Sequence, residues 1–298
     1  MDALPLPQLP PLQAADSPIL YTVLQGLLWL GANGFLFLLP LVVFTLNRRL
    51  GVRLVLVFAL SAVINCLLKN LLELPRPQAM EIDSYGTFGF PSSHAHLGVV
   101  FWGMLALHWR RWSISLLALL MVLLTSAAPL LLKLHFSGDI LGGWALGLIT
   151  LVLTWRYQQP VEAFLVEHGP LMQLGVALAI TTLCWLLAGF YLDDPLLTGS
   201  IGFFIGCALA AIAHPHDAIH PNTLIGLGLR YISGMLLVIL MVAALQRLSS
   251  QLVLSETLAS SAALAILGGW LVGGVPTLLD FLASFSVRAQ TQPSDSDD

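Results

Sequence analysis

Long apolar runs, broken at intervals by short polar clusters, set the pattern of this chain. Residues 18–31 are apolar apart from a few positions such as Gln25, and too short to span comfortably, which predicts an interfacial or re-entrant helix. A first span over about 33–46 and its flanks ends at Arg48-Arg49, and a second over about 52–72 carries Lys69 near its far end. A loop rich in Pro, Gly, Asp and Tyr fills 73–91. The third span starts at Pro91 and stops at Arg110-Arg111, and the fourth covers about 113–134. A short break at 135–138 leads into a fifth, ending near Trp155-Arg156. Beyond a polar linker, 158–169, four further apolar runs lie near 170–191, 197–213, 225–246 and 258–284. The pattern predicts about nine spans.

Composition turns that pattern into a fold class. Of 298 residues, 57% are hydrophobic and 9% charged, with a mean hydropathy of +0.88, where a soluble domain carries about 25% charged residues. The expectation is an all-α polytopic membrane protein. A helical-bundle core over 18–157 would be joined by the linker 158–169 to an appended transmembrane bundle over 170–288. Residues 1–17 lack a basic n-region and read as a disordered tail rather than a signal peptide, and 289–298 form an acidic disordered tail. The net charge of -4 owes much to that tail and gives no support for nucleic-acid binding. Cys66, Cys184 and Cys207 all fall in apolar runs, with no disulfide or metal spacing.

The basic residues orient the chain. Arg48, Arg49, Arg53, Arg110, Arg111 and Arg156 fall on one side, which is then cytoplasmic. Lys69, Arg76, the 91–94 turn, Lys133, His135 and Asp139 fall on the other. Four separate segments thus bring their polar residues to one extracytoplasmic face of an inner, multi-pass membrane protein.

Those residues suit phosphoryl transfer. Lys69 and Arg76 form K-x6-R-P, a flexible ammonium beside a guanidinium fork fixed by Pro75 and Pro77. Phe90-Pro91-Ser92-Ser93-His94 opens an apolar helix, whose N-terminal N–H groups favour an anion. His135 and Asp139, spaced H-x3-D, face one another across a helical turn. The carboxylate would fix the imidazole tautomer and leave the other nitrogen nucleophilic. His135 would attack phosphorus, and His94 would protonate the leaving oxygen and then activate water. Lys69, Arg76, Ser92 and Ser93 would hold the phosphate, so no metal or other cofactor is called for.

In this order and near these helix ends, K-x6-R-P, P-S-x-H and H-x3-D resemble the type 2 phosphatidic acid phosphatase superfamily. That superfamily includes lipid phosphate phosphatases, glucose-6-phosphatase-like enzymes and vanadium haloperoxidases. The resemblance covers roughly 18–157. It implies the same assignments: His135 nucleophile, Asp139 its partner, His94 the acid, and Lys69, Arg76, Ser92 and Ser93 phosphate ligands. The span count is similar to the sphingosine-1-phosphate phosphatase and glucose-6-phosphatase branches. Two positions depart from the family pattern: Ser93 stands for the usual Gly, and Ala128-Pro129 stand for the Ser-Arg that precedes the nucleophile by seven and six residues. A kink at Pro129 would swing Lys133 toward the pocket as a partial substitute for that arginine.

The expected activity is metal-independent removal of phosphate from a lipid entering from the bilayer. Lipid phosphotransfer through the same intermediate, or weak lipid-phosphate binding or transport, are the alternatives. Partners are the lipid substrate and the bilayer, with the oligomeric state left open. The cluster His214, His216, Asp217 and His220 reads as an inter-helix turn on the opposite face, and Arg230 as a charge internal to the bundle or snorkelling. Asp193 and Asp194 read as loop solvation, and Gly268, Gly269, Gly273 and Gly274 as helix-packing positions.

Overall fold

With no water at bilayer depth to take up stray N–H and C=O groups, an apolar chain of this kind must satisfy its backbone within helices. In the computed structural model, residues 17–77, 88–189, 191, 193–215, 223–249 and 255–291 are described, with side chains up to 284. Among the described residues every regular element is a helix; a single antiparallel bridge joins Pro75 and Phe88. The helices are α1 (Pro18–Asn33), α2 (Phe35–Thr45), α3 (Arg48–Leu72), α4 (Ser93–Trp109), α5 (Trp112–Leu131), α6 (Ser137–Ala188), α7 (Pro195–Ala213), α8 (Leu224–Ser249), α9 (Glu256–Gly269) and α10 (Val275–Thr291). A π-helical turn, Trp270–Gly274, links α9 to α10.

Six of these helical stretches are long and apolar enough to cross a membrane, or seven if the bent pair α1 and α2 is one span. The sequence pattern suggested about nine. The 17-residue α4 falls just short, and α6, with 52 residues, counts once. Its helix breaks at Gly169, where φ is 77°. Residues 158–168, read as a polar linker, are therefore helical. Their polarity belongs to an exposed helix face, on which Glu162 pairs with Arg53 through two bonds of 2.6 and 2.7 Å.

The chain forms two compact units, with the divisions falling at the start of α2 and inside α3 and α6. Unit 1 comprises Met1–Phe35 and Leu68–Val152. Here glycines let helices approach: a Cβ at Gly143 of α6 would stand 2.6 Å from the Ser92 carbonyl oxygen, and one at Gly147 would stand 2.7 Å from Val99 Cβ. Leu24 and Leu28 of α1 bury against Ala128, Leu132 and Leu134 at the end of α5.

Unit 2 comprises Leu36–Leu67 and Leu153–Asp298. Its α7 packs on α9 through Gly199, Gly202 and Gly206, and Gly268 lies against Phe203 and Cys207, as the small-residue pattern suggested. Arg230 is bundle-internal: Nε donates to the Phe44 carbonyl (2.8 Å) and Nη2 pairs with Asp280 (2.7 Å). Arg48 is buried and donates to the carbonyls of Val272 and His214. Asp194 has a structural task the sequence reading missed, capping α7 by accepting from the N–H groups of Leu196 and Leu197. His216, Asp217 and His220 lie outside the described residues; His214 is bonded to the Ala210 carbonyl.

Candidate active site

Every residue proposed from the motifs falls in unit 1, and each sits at a helix end for a local reason. The α3 helix stops because Glu73 turns left-handed (φ 49°) and returns its N–H to the Lys69 carbonyl. Lys69 thus occupies the last turn, and Arg76 follows between two prolines that cannot continue a helix. The Gly89 N–H bonds the Leu74 carbonyl at 2.8 Å, closing the base of the intervening loop. The Lys69 ammonium donates to the carbonyls of Phe88 and Gly89, both at 3.1 Å, just ahead of the 90–94 turn.

Ser92 occupies the N-cap position of α4, yet its hydroxyl makes no capping bond. Ser92 is 0% exposed and its Oγ is buried without a partner. The N–H groups of Ser93, His94 and Ala95 open the helix outside its own ladder. The Ser92 N–H itself donates to the Asp139 carbonyl at 3.0 Å, which ties the two motifs together through the backbone.

The α5 helix ends in a Schellman turn. Lys133 takes the left-handed position (φ 56°), its N–H bonding the Leu130 carbonyl, and the Leu134 N–H reaches the Pro129 carbonyl at 2.8 Å. The His135 N–H also points to that carbonyl, at 3.3 Å. Pro129, which stands where the resemblance puts an arginine, therefore holds the backbone of the histidine that follows.

His135 and Asp139 are not on one helix, as H-x3-D suggested. His135 lies in the connection before α6, and Asp139 in the first turn of α6. The pairing survives because the Asp139 carboxylate turns back. One oxygen, Oδ2, accepts from the Phe136 N–H at 2.9 Å and lies 3.2 Å from His135 Nδ1. Both residues are buried, at 3% and 5% exposure. With Nδ1 carrying the proton toward Asp139, Nε2 presents its lone pair. Arg76 Nη1 stands 3.3 Å from that Nε2 while donating to the Leu134 carbonyl at 3.0 Å. Gly89 is required by this closeness: a Cβ there would lie 2.8 Å from Asp139 Oδ2.

The His94 ring meets the His135 ring edge-on, with centroids 6.5 Å apart. Its Nε2 is buried without a partner. Its hydrogen bond to the backbone of Leu28 therefore runs through the other ring nitrogen. This tie to α1 was not foreseen, because nothing in the 18–33 apolar run marks which turn faces a residue some sixty positions later. Lys133 is half-buried two residues before His135, and among the described residues its ammonium has no partner. No group of three or more His, Cys, Asp or Glu able to hold a metal occurs among the described residues.

Burial pushes the His135 imidazole below its ordinary value of 6.5; the bond to Asp139 opposes this, and the Arg76 and Lys69 charges push it further down. The ring is therefore neutral at pH 7, with a lone pair on Nε2. Because the unfolded chain takes up this proton more readily than the folded one, the stability it contributes is lost as pH falls below about 6.5. The acid limb of a pH–rate profile should lie below 6.5, and a limb above that value would contradict a buried, neutral His135.

Residues 50–162 match the family model of the PAP2 superfamily. Phosphatidylglycerophosphatase B of Bacillus subtilis (strain 168) is 28% identical over 163 residues, covering 49% of this chain and 79% of that protein. A solved structure of a transmembrane PAP2-type phosphatidylglycerolphosphate phosphatase from Bacillus subtilis aligns over 49% of this chain and 79% of its own, with a TM-score of 0.42 and 25% identity.

Proposed function

We propose that this protein, whose residues 50–162 match the family model of the PAP2 superfamily, is a phosphatase that hydrolyses a lipid phosphate through a phosphohistidine on the extracytoplasmic face. Two buried atoms carry this reading. The Ser92 hydroxyl and His94 Nε2 lack partners beside the His135–Asp139 couple. Each such group costs about 1–3 kcal/mol when left unmade, and a phosphate between them would satisfy both. The likeness to phosphatidylglycerophosphatase B supports a phosphate ester of a lipid as the substrate class.

In the first step the Arg76 guanidinium turns from His135 Nε2 to the phosphate oxygens. Nε2 attacks phosphorus in line, and a P–N bond forms as the P–O bond to the lipid breaks. Protonated His94 gives its proton to the departing oxygen, releasing the lipid alcohol. Neutral His94 then takes a proton from water, and the hydroxide displaces His135 from phosphorus. Inorganic phosphate leaves with both imidazoles restored. Lys69, Arg76, Ser92, Ser93 and the first N–H groups of α4 balance the charge that accumulates on phosphorus oxygens, so no metal ion is needed. The distribution of Lys and Arg supports the extracytoplasmic face.

One experiment tests all of this. Right-side-out vesicles, given an impermeant short-chain lipid phosphate and a chelator, should release phosphate, and an acid-labile phosphoenzyme should be trapped on quenching. Release only after permeabilisation would move the site to the cytoplasmic side. Loss of release in chelator, restored by a divalent ion, would replace the mechanism with a metal-assisted one.

Lys133 completes the proposal. Its ammonium has no partner among the described residues, and the residue stands two positions before His135, in the stretch where the family pattern carries its arginine. Lys133→Ala keeps the same unfavourable left-handed backbone position, so it isolates the charge. It should lower kcat/KM by about 10- to 100-fold. A change under about threefold would instead assign Lys133 to the lipid head groups.

A further inference from the structure

The acid of this reaction is held by a helix that lies before the family segment, outside residues 50–162. Two features of α1 meet the His94 ring. The backbone of Leu28 bonds the ring nitrogen that is not Nε2. Three residues on, Gly31 is buried so close to the ring that a Cβ there would stand 2.8 Å from His94 Cδ2, and 3.3 Å from Thr125 Cβ. A hydrogen bond thus holds one edge of the imidazole while a bare backbone leaves room for another. Leu28 is itself locked in place: it is 2% exposed and packed with Leu24 against Ala128, Leu132 and Leu134.

We propose that α1 is the positioning element for His94: the Leu28 carbonyl fixes its tautomer with the proton on Nδ1, and Gly31 makes the space that keeps Nε2 facing the leaving group. This rests on the assignment of His94 as the proton donor above. The chemistry follows directly. Only with Nδ1 engaged by a carbonyl is Nε2 the nitrogen that delivers a proton and later accepts one from water. A ring pushed aside by even about 1 Å loses alignment with the departing oxygen, at a cost of about 100-fold in rate.

The test uses the full-length protein. Gly31→Ala should lower kcat on a lipid phosphomonoester by about 10- to 100-fold with KM within about twofold. With p-nitrophenyl phosphate, whose leaving group needs no proton, the first-turnover burst should stay within about threefold of the wild type. Gly26→Ala, on the same helix with nothing within 4 Å of its Cβ, should behave as the wild type. Unchanged lipid turnover in Gly31→Ala overturns the proposal, and so does an equal loss of burst and lipid turnover in the folded variant. If that variant does not fold, the wild type decides: ¹⁵N spectra of labelled histidine should show His94 as the Nδ1–H tautomer, and the Nε2–H tautomer overturns the role of α1. Failure of the wild type to release phosphate from any lipid phosphate would count against the phosphatase reading itself, whereas an active wild type with an indifferent Gly31→Ala fails only the positioning role.

Discussion

His135→Ala will remove measurable lipid-phosphate turnover while leaving the protein folded. With the imidazole as the proposed attacking group, the rate loss should be at least about 10³-fold, as for an enzyme deprived of its nucleophile. The cost to folding is bounded: the contacts to Asp139 and Arg76 disappear, each worth about 1 kcal/mol, and the buried ring leaves a cavity, while the backbone bonds of the turn remain. Asp139 keeps its bond from the Phe136 N–H. The companion variant Asp139→Asn should lose less, about 10- to 100-fold. One oxygen of Asp139 serves both Phe136 and His135, so an asparagine can offer its carbonyl oxygen at the same point and keep the tautomer, losing only the charge. Phosphate release and trapped phosphoenzyme measure the first effect, and thermal unfolding the second. Turnover of His135→Ala within tenfold of the wild type would rule out this nucleophile.

Arg76→Lys comes next in size, with an expected loss of about 10²- to 10³-fold in kcat/KM, that of one charge-stabilising donor in a dry site. Two cations, Arg76 and Lys69, act on the His135 ring, and they are not equivalent. The Lys69 ammonium is already engaged by the carbonyls of Phe88 and Gly89. Lys133 occupies the left-handed position of the Schellman turn, and its ammonium has no partner among the described residues. Arg76 Nη1 stands 3.3 Å from the nitrogen proposed to attack and also donates to the Leu134 carbonyl, on a stem fixed between Pro75 and Pro77. A lysine on the same stem can supply a point charge but not the planar fork. The loss should appear in kcat as well as KM, because the charge to be balanced grows toward the transition state. A kcat/KM within threefold of the wild type would hand the phosphate to Lys69 and Lys133 instead.

The motifs were readable because each sits where a helix ends. Lys69, Arg76, His94, His135 and Asp139 announce themselves by spacing and by the prolines and polar breaks around them. The structure brings all five into one unit. Spacing failed where the geometry turned on backbone rather than side-chain pattern. H-x3-D suggested one helical face, yet His135 precedes α6 and meets Asp139 only because that carboxylate folds back over its own first turn. Ser92 occupies the N-cap position of α4, yet its hydroxyl is buried without a partner, which no spacing announces. Gln158, Gln159, Glu162 and Glu167 looked like a linker because a polar helix face and a polar coil have the same composition. The Leu28–His94 contact and the Arg230–Asp280 pair join residues fifty or more positions apart, and no local pattern encodes such distances.

The left-handed turn at residue 133 has one further consequence. Glycine would occupy that position with less strain than any side chain, by about 1 kcal/mol. Lys133→Gly should therefore yield a protein at least as heat-resistant as the wild type, and slower. If the loss in rate matches that of Lys133→Ala, residue 133 is a point at which endurance and catalytic speed pull in opposite directions. Lineages of this protein that abandoned the chemistry would then be expected to drift toward glycine there, while those that kept it would hold a cation on an unfavourable backbone.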